Sequence, residues 1–233
     1  MSTIAETLEG KKASVADLVL RYPAALQVLK KHHIDFCCGG QHSLEDACAA
    51  AGINPDEIFE AIQTSKPEEN EVFRVKDWSS SFLADFIVQN HHTYVRNTIP
   101  EIQELLDKVC SLHGGDAPEL LMIREDFNTL AAELLSHMDK EENILFPAIK
   151  HLDTFHNGQA LIGNIDAPIA VMEHEHESAG DLIKAIRKLS NNFTPPAYAC
   201  PTFLLTYQRL EEFEADLMTH IHLENNVLFK RLK

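Results

Sequence analysis

Residues 132–146 read Ala-Glu-Leu-Leu-Ser-His-Met-Asp-Lys-Glu-Glu-Asn-Ile-Leu-Phe and place His137 and Glu141 four positions apart. On an α-helix, side chains at positions i and i+4 lie on one face about one turn apart, close enough to bind one metal ion. A single His-x-x-x-Glu is a weak signal, because any long amphipathic helix can contain one by chance. A second copy elsewhere in the chain would make a metal site a much stronger interpretation.

The chain does contain a second copy of this stretch near its end. Residues 215–229 read Ala-Asp-Leu-Met-Thr-His-Ile-His-Leu-Glu-Asn-Asn-Val-Leu-Phe, which puts His220 and Glu224 in register with the first His–Glu pair. Phe229 likewise aligns with Phe146. The repeat predicts one half of a metal centre on each of two similar helices.

The composition narrows the class of protein. The chain has 233 residues and a formal net charge of −16, which argues against a nucleic-acid partner or an anionic membrane, since both need a basic surface. The first residues lack the basic-then-apolar order of a signal peptide, and no apolar run approaches the roughly 20 residues that span a bilayer. Five cysteines form no disulfide framework. We therefore expect a soluble cytoplasmic protein, with the assembly state open and a homodimer among the allowed states.

The sequence predicts an all-α fold with two domains. Residues 1–64 carry short helical patterns and a Cys37-Cys38-Gly39-Gly40 turn, which we expect to be exposed on a small N-terminal helical domain. Residues 65–77 are polar and predict a linker. Residues 78–233 predict an up-down-up-down four-helix bundle, an architecture that can hold cofactor ligands between facing helices.

The four long helices of the bundle are expected at about 79–112, 119–152, 166–191 and 198–231. Pro100 and Pro147 fall inside the first two, where each is expected to bend or end the helix. No pattern of alternating residues competes with the helical interpretation.

The repeat also selects ligands on the other two helices. His92 precedes His137 by 45 residues and His176 precedes His220 by 44, so each half of the bundle supplies two imidazoles and one Glu. His91 is the alternative to His92, and His174 and His222 are the alternatives to their neighbours. The predicted metal ligands are His92, His137, Glu141, His176, His220 and Glu224.

This ligand set favours a pair of iron ions. Mixed nitrogen and oxygen donors fit iron or manganese better than the thiolate-rich sets of structural zinc, and two His with one carboxylate leave coordination positions open. Glu141 and Glu224, on facing helices, are expected to bridge the two ions, with an oxide or hydroxide as a further bridge. Glu133 and Asp216 lie one turn before His137 and His220 and are predicted to accept from their imidazole N–H groups.

The same residues resemble a known family. The two His-x-x-x-Glu pairs with His92 and His176 are similar to the haemerythrin-like four-helix bundle, and Asp35-Phe-Cys37-Cys38-Gly39-Gly40 is similar to the N-terminal domain of the ScdA type. Taken together, the order of domains and the motifs resemble the iron–sulfur cluster repair di-iron proteins, the RIC or YtfE/ScdA-like family. The likeness covers essentially the whole chain.

The resemblance implies a function and roles for residues outside the ligand set. It implies a non-haem di-iron protein that repairs iron–sulfur clusters after nitrosative or oxidative stress by donating iron, with damaged or apo iron–sulfur proteins as partners. It further implies Glu133 and Glu175 as acidic residues beside the site and Cys37 and Cys38 as a functional pair. The alternatives are a di-iron reductase that converts nitric oxide to nitrous oxide, with Glu133 or Glu175 relaying protons, and a haemerythrin-like protein that binds or senses O₂ or nitric oxide.

Overall fold

The computed structural model describes residues 10–22, 24–65, 75–154 and 164–233, and these residues are overwhelmingly helical. Within these ranges there is no strand, and the β-type pairing is a single bridge between Ser14 and Ser43. The prediction of an all-α fold is confirmed. No helix in the described part of the chain combines the length and the apolar character needed to cross a membrane.

The described residues form two compact units. The first unit runs up to Trp78 and also takes in Ile221–Arg231, and the second unit comprises Ser79–His220 with the last two residues. Most of the predicted linker, residues 66–74, lies outside the described residues. The domain boundaries at 64 and 78 remain predictions.

In residues 13–65, apart from Pro23, the described part of the first unit contains the short helices α1 Val15–Arg21, α2 Ala25–Lys31, α3 Leu44–Ala51 and α4 Pro55–Thr64. Three of them begin as the sequence indicates. Ser14 and Ser43 accept hydrogen bonds from Asp17 N and Asp46 N, both at 3.1 Å, and Asn54 caps α4. Each such cap contributes about 1 kcal/mol to stability, which matters for helices this short.

The end of the chain packs into the same unit. Asn226 Nδ2 donates to the carbonyl oxygen of Cys37 at 3.0 Å, and Gln41 Nε2 donates to Asn226 Oδ1 at 2.9 Å. The buried His222 donates from Nδ1 to the carbonyl oxygen of Phe36 at 3.1 Å, and its ring meets the Phe36 ring edge-on. These contacts hold the backbone of the Cys-Cys-Gly-Gly turn through side chains that lie almost 190 residues away in sequence.

Gly40 is required by this packing. A Cβ atom there would lie 2.6 Å from the Phe36 carbonyl oxygen and 3.0 Å from Asn226 Nδ2. We expect Gly40→Ala to destabilise the first unit by about 1–3 kcal/mol, because the clash is with backbone that cannot move aside cheaply.

The measurement is urea unfolding followed by the fluorescence of Trp78, the only tryptophan of the chain, which lies in the first unit. Gly115→Ala is the control, since nothing lies within 4 Å of a Cβ at that position. An unchanged unfolding midpoint in Gly40→Ala would contradict the packing described.

The second unit is built from long helical runs. The first is α5 Ser80–Ile87 followed by a π-helical turn Val88–His92 and α6 Thr93–His113, and the second is α7 Glu119–Lys140 followed by a π-helical turn Glu141–Leu145 and α8 Phe146–Thr154. The third is α9 Asp166–Leu189. The fourth is α10 Pro201–His222, which continues through a π-helical turn Leu223–Leu228 into a 3₁₀ turn Phe229–Arg231.

Neither proline ends its helix. α6 continues through Pro100 without a break, so the irregularity of the first run lies upstream, at Val88–His92. Pro147 does not end the second run, because the π-helical turn directly before it changes the hydrogen-bond register and α8 follows. Such turns widen a helix by one residue and concentrate at functional sites.

Aromatic packing fixes the second and fourth runs against each other below the predicted metal ligands. The Phe127 ring of α7 meets the Phe213 ring of α10 edge-on at 5.4 Å, and both are fully buried. Burying a side chain of this size contributes roughly 1.5–3 kcal/mol. This contact anchors the two helices that carry the repeated His-x-x-x-Glu.

A reactive thiol lies at the start of α10. Cys200 precedes the first residue of the helix, and His113 Nε2 lies 3.2 Å from its Sγ. Hydrogen bonds from the Phe203 backbone N–H and then from His113 lower the pKa of Cys200 to about 7. Burial instead raises the pKa of the Cys110 thiol.

We therefore expect the alkylation rate of Cys200 by iodoacetamide to rise with pH and to reach half its plateau near pH 7, since the thiolate is the nucleophile. Mass spectrometry of peptides after timed alkylation gives the rate for each cysteine, and Cys110 serves as the internal control. If the alkylation rate of Cys200 instead reached half its plateau at the pKa of an ordinary cysteine thiol, the stabilisation of its thiolate would be contradicted.

Candidate metal centre

The second unit and the helix that continues from it carry the six predicted ligands at buried positions. His92 ends the π-helical turn of the first run, Glu141 begins that of the second, and Glu224 lies in that of the fourth. His176 lies in the regular helix α9. Exposure is 3% or less for every member of the set: His92, His137, Glu141, His176, His220 and Glu224.

These residues converge into two groups whose ligand atoms lie within 4.8 Å of one another. One group contains the imidazoles of His92 and His220, and the other contains those of His137 and His176. Glu141 and Glu224 belong to both groups. Glu224 follows His220 by one turn of the same continuous helix, as Glu141 follows His137. This arrangement offers two ion positions that share two carboxylates.

The distances between donor atoms fit a bound transition metal. His92 Nε2 lies 3.1 Å from His220 Nε2, and His137 Nε2 lies 2.9 Å from His176 Nε2. Glu141 Oε2 lies 3.3 Å from both His92 Nε2 and His137 Nε2. Neighbouring ligands around an octahedral ion with bonds of about 2.1 Å lie about 3 Å apart. Burying two carboxylates among imidazole lone pairs is costly unless a cation compensates them.

Glu175 sets the tautomer of one ligand. His137 Nδ1 donates to Glu175 Oε2 at 2.9 Å, which leaves the Nε2 lone pair directed at the site. Lys140 binds the other oxygen of the same carboxylate. Partial burial raises the pKa of Glu175, but the hydrogen bonds from Lys140 and His137 outweigh it and the net pKa lies below the usual value. The carboxylate therefore stays ionised and holds the ring.

The predicted partner of His137 was Glu133, and this is wrong. Glu133 is exposed, and its Oε2 accepts from Ser178 Oγ at 3.3 Å. Glu175 reaches the ring from the neighbouring helix instead. No spacing rule in the sequence identifies a partner on another helix.

Glu142 plays the same part for the other half and was not predicted. His92 Nδ1 donates to Glu142 Oε1 at 2.8 Å, and Arg96 Nη2 donates to that oxygen at 3.0 Å. Arg96 also binds Asp139 Oδ1 at 2.9 Å. The available signal was the position of Glu142 directly after Glu141, with Asp139 two residues before Glu141. Acids at these positions are equally typical of a solvent-exposed helix face.

The alternative histidines lie outside both groups. His91 is buried, donates from Nδ1 to Asp216 Oδ1 at 2.9 Å and stacks on the His220 ring. The prediction that Asp216 would hold His220 is therefore wrong, since Asp216 Oδ1 accepts from His91 instead. His174 is exposed and lies beside Glu177. His222 is buried against Phe36, and burial lowers its pKa to about 4, so it is a neutral packing residue.

A cleft of about 450 Å³ leads from the surface of the second unit to one of the two groups. The imidazoles of His137 and His176 both line it. Apart from small and apolar residues, the rest of its wall is polar and consists of Glu133, Ser136, Lys140, His174, Glu175 and Ser178. The acids expected beside the site, Glu133 and Glu175, thus lie in a cleft that solvent can enter.

Comparison with known proteins agrees with this architecture. Residues 84–232 match the model of the Hemerythrin HHE cation binding domain, and residues 11–66 match that of ScdA_N, a domain of unknown function. The chain belongs to the hemerythrin HHE family. The resemblance to the iron–sulfur cluster repair proteins is also confirmed, since relatives with that name match along almost the whole chain.

Three of these relatives illustrate the extent of the match. A probable iron-sulfur cluster repair protein of Haemophilus influenzae is 38% identical over 227 residues, which cover 94% of this chain and 95% of the relative. The iron-sulfur cluster repair protein YtfE of Pectobacterium atrosepticum is 35% identical over 221 residues, with coverage of 94% and 95%. That of an Enterobacter species is 37% identical over 220 residues, with coverage of 93% and 94%.

The cysteine turn of the ScdA_N segment is more enclosed than expected. Cys37 is buried, so the prediction of an exposed pair is wrong for that residue, whereas Cys38 is half-buried. Asp35 Oδ1 accepts from Cys37 N at 3.0 Å, Gly39 N at 3.1 Å and Cys37 Sγ at 3.2 Å, which draws the turn inward. The neighbouring Cys38 thiol and then burial raise the pKa of Cys37 well above its usual value. The two Sγ atoms lie 3.8 Å apart.

The shared carboxylates give a test of the metal centre. We expect the double variant Glu141→Leu/Glu224→Leu to bind no more than residual iron while its helical circular dichroism is retained, because both ion positions lose two ligands each. Iron is measured by inductively coupled plasma mass spectrometry after anaerobic reconstitution.

The control carries the same change of charge on the exposed face of α9, as Glu173→Leu/Glu177→Leu, and should bind iron like the unmodified protein. Two irons retained by Glu141→Leu/Glu224→Leu would rule out both residues as shared ligands.

Proposed function

We propose that this protein repairs iron–sulfur clusters by donating iron that it holds in a two-ion His/Glu centre. The relatives named above are called iron-sulfur cluster repair proteins, and they match both segments of the chain. The proposed ligands are His92, His137, Glu141, His176, His220 and Glu224, with Glu141 and Glu224 as the bridging carboxylates. The proposed ions are two non-haem irons with an oxo or hydroxo bridge.

One observation carries the proposal of two ions. Glu141 Oε2 is equidistant from His92 Nε2 and His137 Nε2, which belong to different groups. A carboxylate in that position suits two metals better than one. When bound, the ions would supply the iron that a damaged cluster lacks, and the donor set of nitrogen and carboxylate oxygen suits iron in exchangeable form.

The chain's own residues support delivery in several ways. Glu175 and Glu142 keep His137 and His92 in the tautomer that binds metal. The polar cleft gives a hydrated ion a path to the surface, since carboxylates and hydroxyls of its wall can replace ligands one at a time. Glu133 is proposed to act there as an acid that receives the ion or a proton.

The cysteine turn is proposed to serve the client. Cys38 is the accessible thiol, and Cys37 beside it is held by Asp35. A thiolate at Cys38 can bind ferrous iron or contact a cluster, and a second sulfur 3.8 Å away can share the ion. The five cysteines are all free thiols, which suits the reducing cytoplasm where we place this activity.

The test is transfer of iron to a protein whose [4Fe–4S] cluster has lost one iron. Protein loaded with ⁵⁷Fe is mixed anaerobically with the [3Fe–4S] client, dithionite and a ferrous chelator that captures free iron. We expect ⁵⁷Fe to enter the cluster, so that the client shows the Mössbauer spectrum of a [4Fe–4S] cluster and, once dithionite is removed and the client is reoxidised, a smaller [3Fe–4S] electron paramagnetic resonance signal than client without the donor. Cys37→Ala/Cys38→Ala should slow the transfer several-fold without loss of bound iron.

The matched control replaces two thiols elsewhere, as Cys110→Ala/Cys200→Ala, and should transfer iron normally. A client that stays in the [3Fe–4S] form while the donor keeps its iron would refute donation. In a separate anaerobic vessel without client or dithionite, nitrous oxide formed over many turnovers from nitric oxide and a mild electron donor, above the amount formed without the protein, would favour the reductase instead. Reversible binding of O₂ or nitric oxide without transfer would favour a carrier or sensor.

A further inference from the structure

The two ion positions differ in how they are enclosed. The cleft is lined by both imidazoles of the His137/His176 position, whereas neither His92 nor His220 lines it. The cleft therefore ends at the buried ligands of one position. Other side chains enclose the second position.

Aromatic rings cover the His92/His220 position. The His92 ring stacks on Phe146 with centroids 5.7 Å apart and planes 17° apart. The His220 ring stacks on His91 at 5.7 Å and 12°. Both covering residues are buried, and Asp216 fixes His91 through a 2.9 Å hydrogen bond. A ligand here can swing away only if a packed ring moves first.

The two carboxylates that accept from the imidazoles, Glu175 and Glu142, are paired with different cations. Glu175 and Glu142 are similarly exposed, at 32% and 29% of their side chains, so solvent screening does not separate them. Lys140 meets Glu175 with a single ammonium group on a flexible stem, inside the cleft. Arg96 bridges Glu142 and Asp139 with one planar guanidinium. A guanidinium loses less freedom per hydrogen bond than an ammonium, so the Arg96 contact is the more rigid.

We infer that the His137/His176 position releases its iron first and that Lys140 is the positioning residue that controls this release. The inference rests on the proposed function, in which the iron is cargo. When Lys140 leaves Glu175, the carboxylate is free to leave His137, and His137 can then detach from the ion at the mouth of the cleft. The step is a ligand exchange in which water replaces imidazole and no electron is transferred. The His92/His220 position keeps its ion longer because neither of its imidazoles lines the cleft and because Arg96 holds Glu142 rigidly.

The site of release can be observed directly. Crystals of the protein reconstituted with two irons are treated anaerobically with a ferrous chelator until half of the iron is removed, and iron anomalous differences are then measured at both positions. We expect the remaining iron between His92 and His220. Remaining iron between His137 and His176, or equal occupancy of both positions, would overturn the inference.

Matched variants test the part played by Lys140. Lys140→Met should speed the first phase of iron release to a ferrous chelator by about 10-fold, the lower end of the effect of losing the hydrogen-bond partner of a metal ligand, because Lys140 holds Glu175, the partner of His137. Arg96→Met should leave the first phase unchanged and speed the second. Equal first phases in Lys140→Met and the unmodified protein would overturn the role of Lys140.

The outcomes also separate this inference from the proposed function. Protein that binds no iron, or binds it without passing it to a [3Fe–4S] client, refutes donation. Protein that donates iron but loses it first from His92 and His220 refutes only the order of release. If either variant fails to retain two irons, the anomalous measurement on the unmodified protein still decides the order.

Discussion

The burial of two carboxylates beside four imidazoles is the constraint on which the rest of the second unit depends. Glu141 is fully buried with one oxygen 3.3 Å from two imidazole nitrogens. Such a cluster is unfavourable unless a cation fills it and unless each ring is held in the correct tautomer. Glu175 and Glu142 supply that orientation from outside, and Lys140 and Arg96 neutralise them in turn. The sign of the charge thus alternates from the carboxylates at the centre of the bundle to the cations at its surface.

The same logic separates the two cysteines of the first unit. Asp35 gathers three hydrogen bonds onto one oxygen, and Cys37 is buried whereas Cys38 is half-buried. A buried thiol with a raised pKa is a poor nucleophile. The pair therefore offers two sulfurs with different chemistry, although their residues are identical.

Sequence reasoning predicted the fold and the candidate ligands better than it predicted the residues around those ligands. Helical periodicity and the caps at Ser14, Ser43 and Asn54 are local, and the repeat with its spacing of 45 and 44 residues singled out His92 and His176. Glu142 and Glu175 were beyond such rules, because which helix faces which ligand depends on the rotation of neighbouring helices. The burial of Cys37 also depends on Asn226, whose distant position no local pattern reveals.

The three π-helical turns make the positions of the ligands depend on the count of residues. Val88–His92, Glu141–Leu145 and Leu223–Leu228 each contain a predicted ligand, and their i→i+5 hydrogen bonds each enclose one residue more than an α-helical bond does. Deleting one residue from any of them restores the ordinary register, and every side chain beyond it then rotates by about 100° about the helix axis. Several exposed side chains in these turns, such as Ile144, contact little themselves. Such residues tolerate substitution far better than removal, so in variation among relatives these turns should keep their length more strictly than their composition.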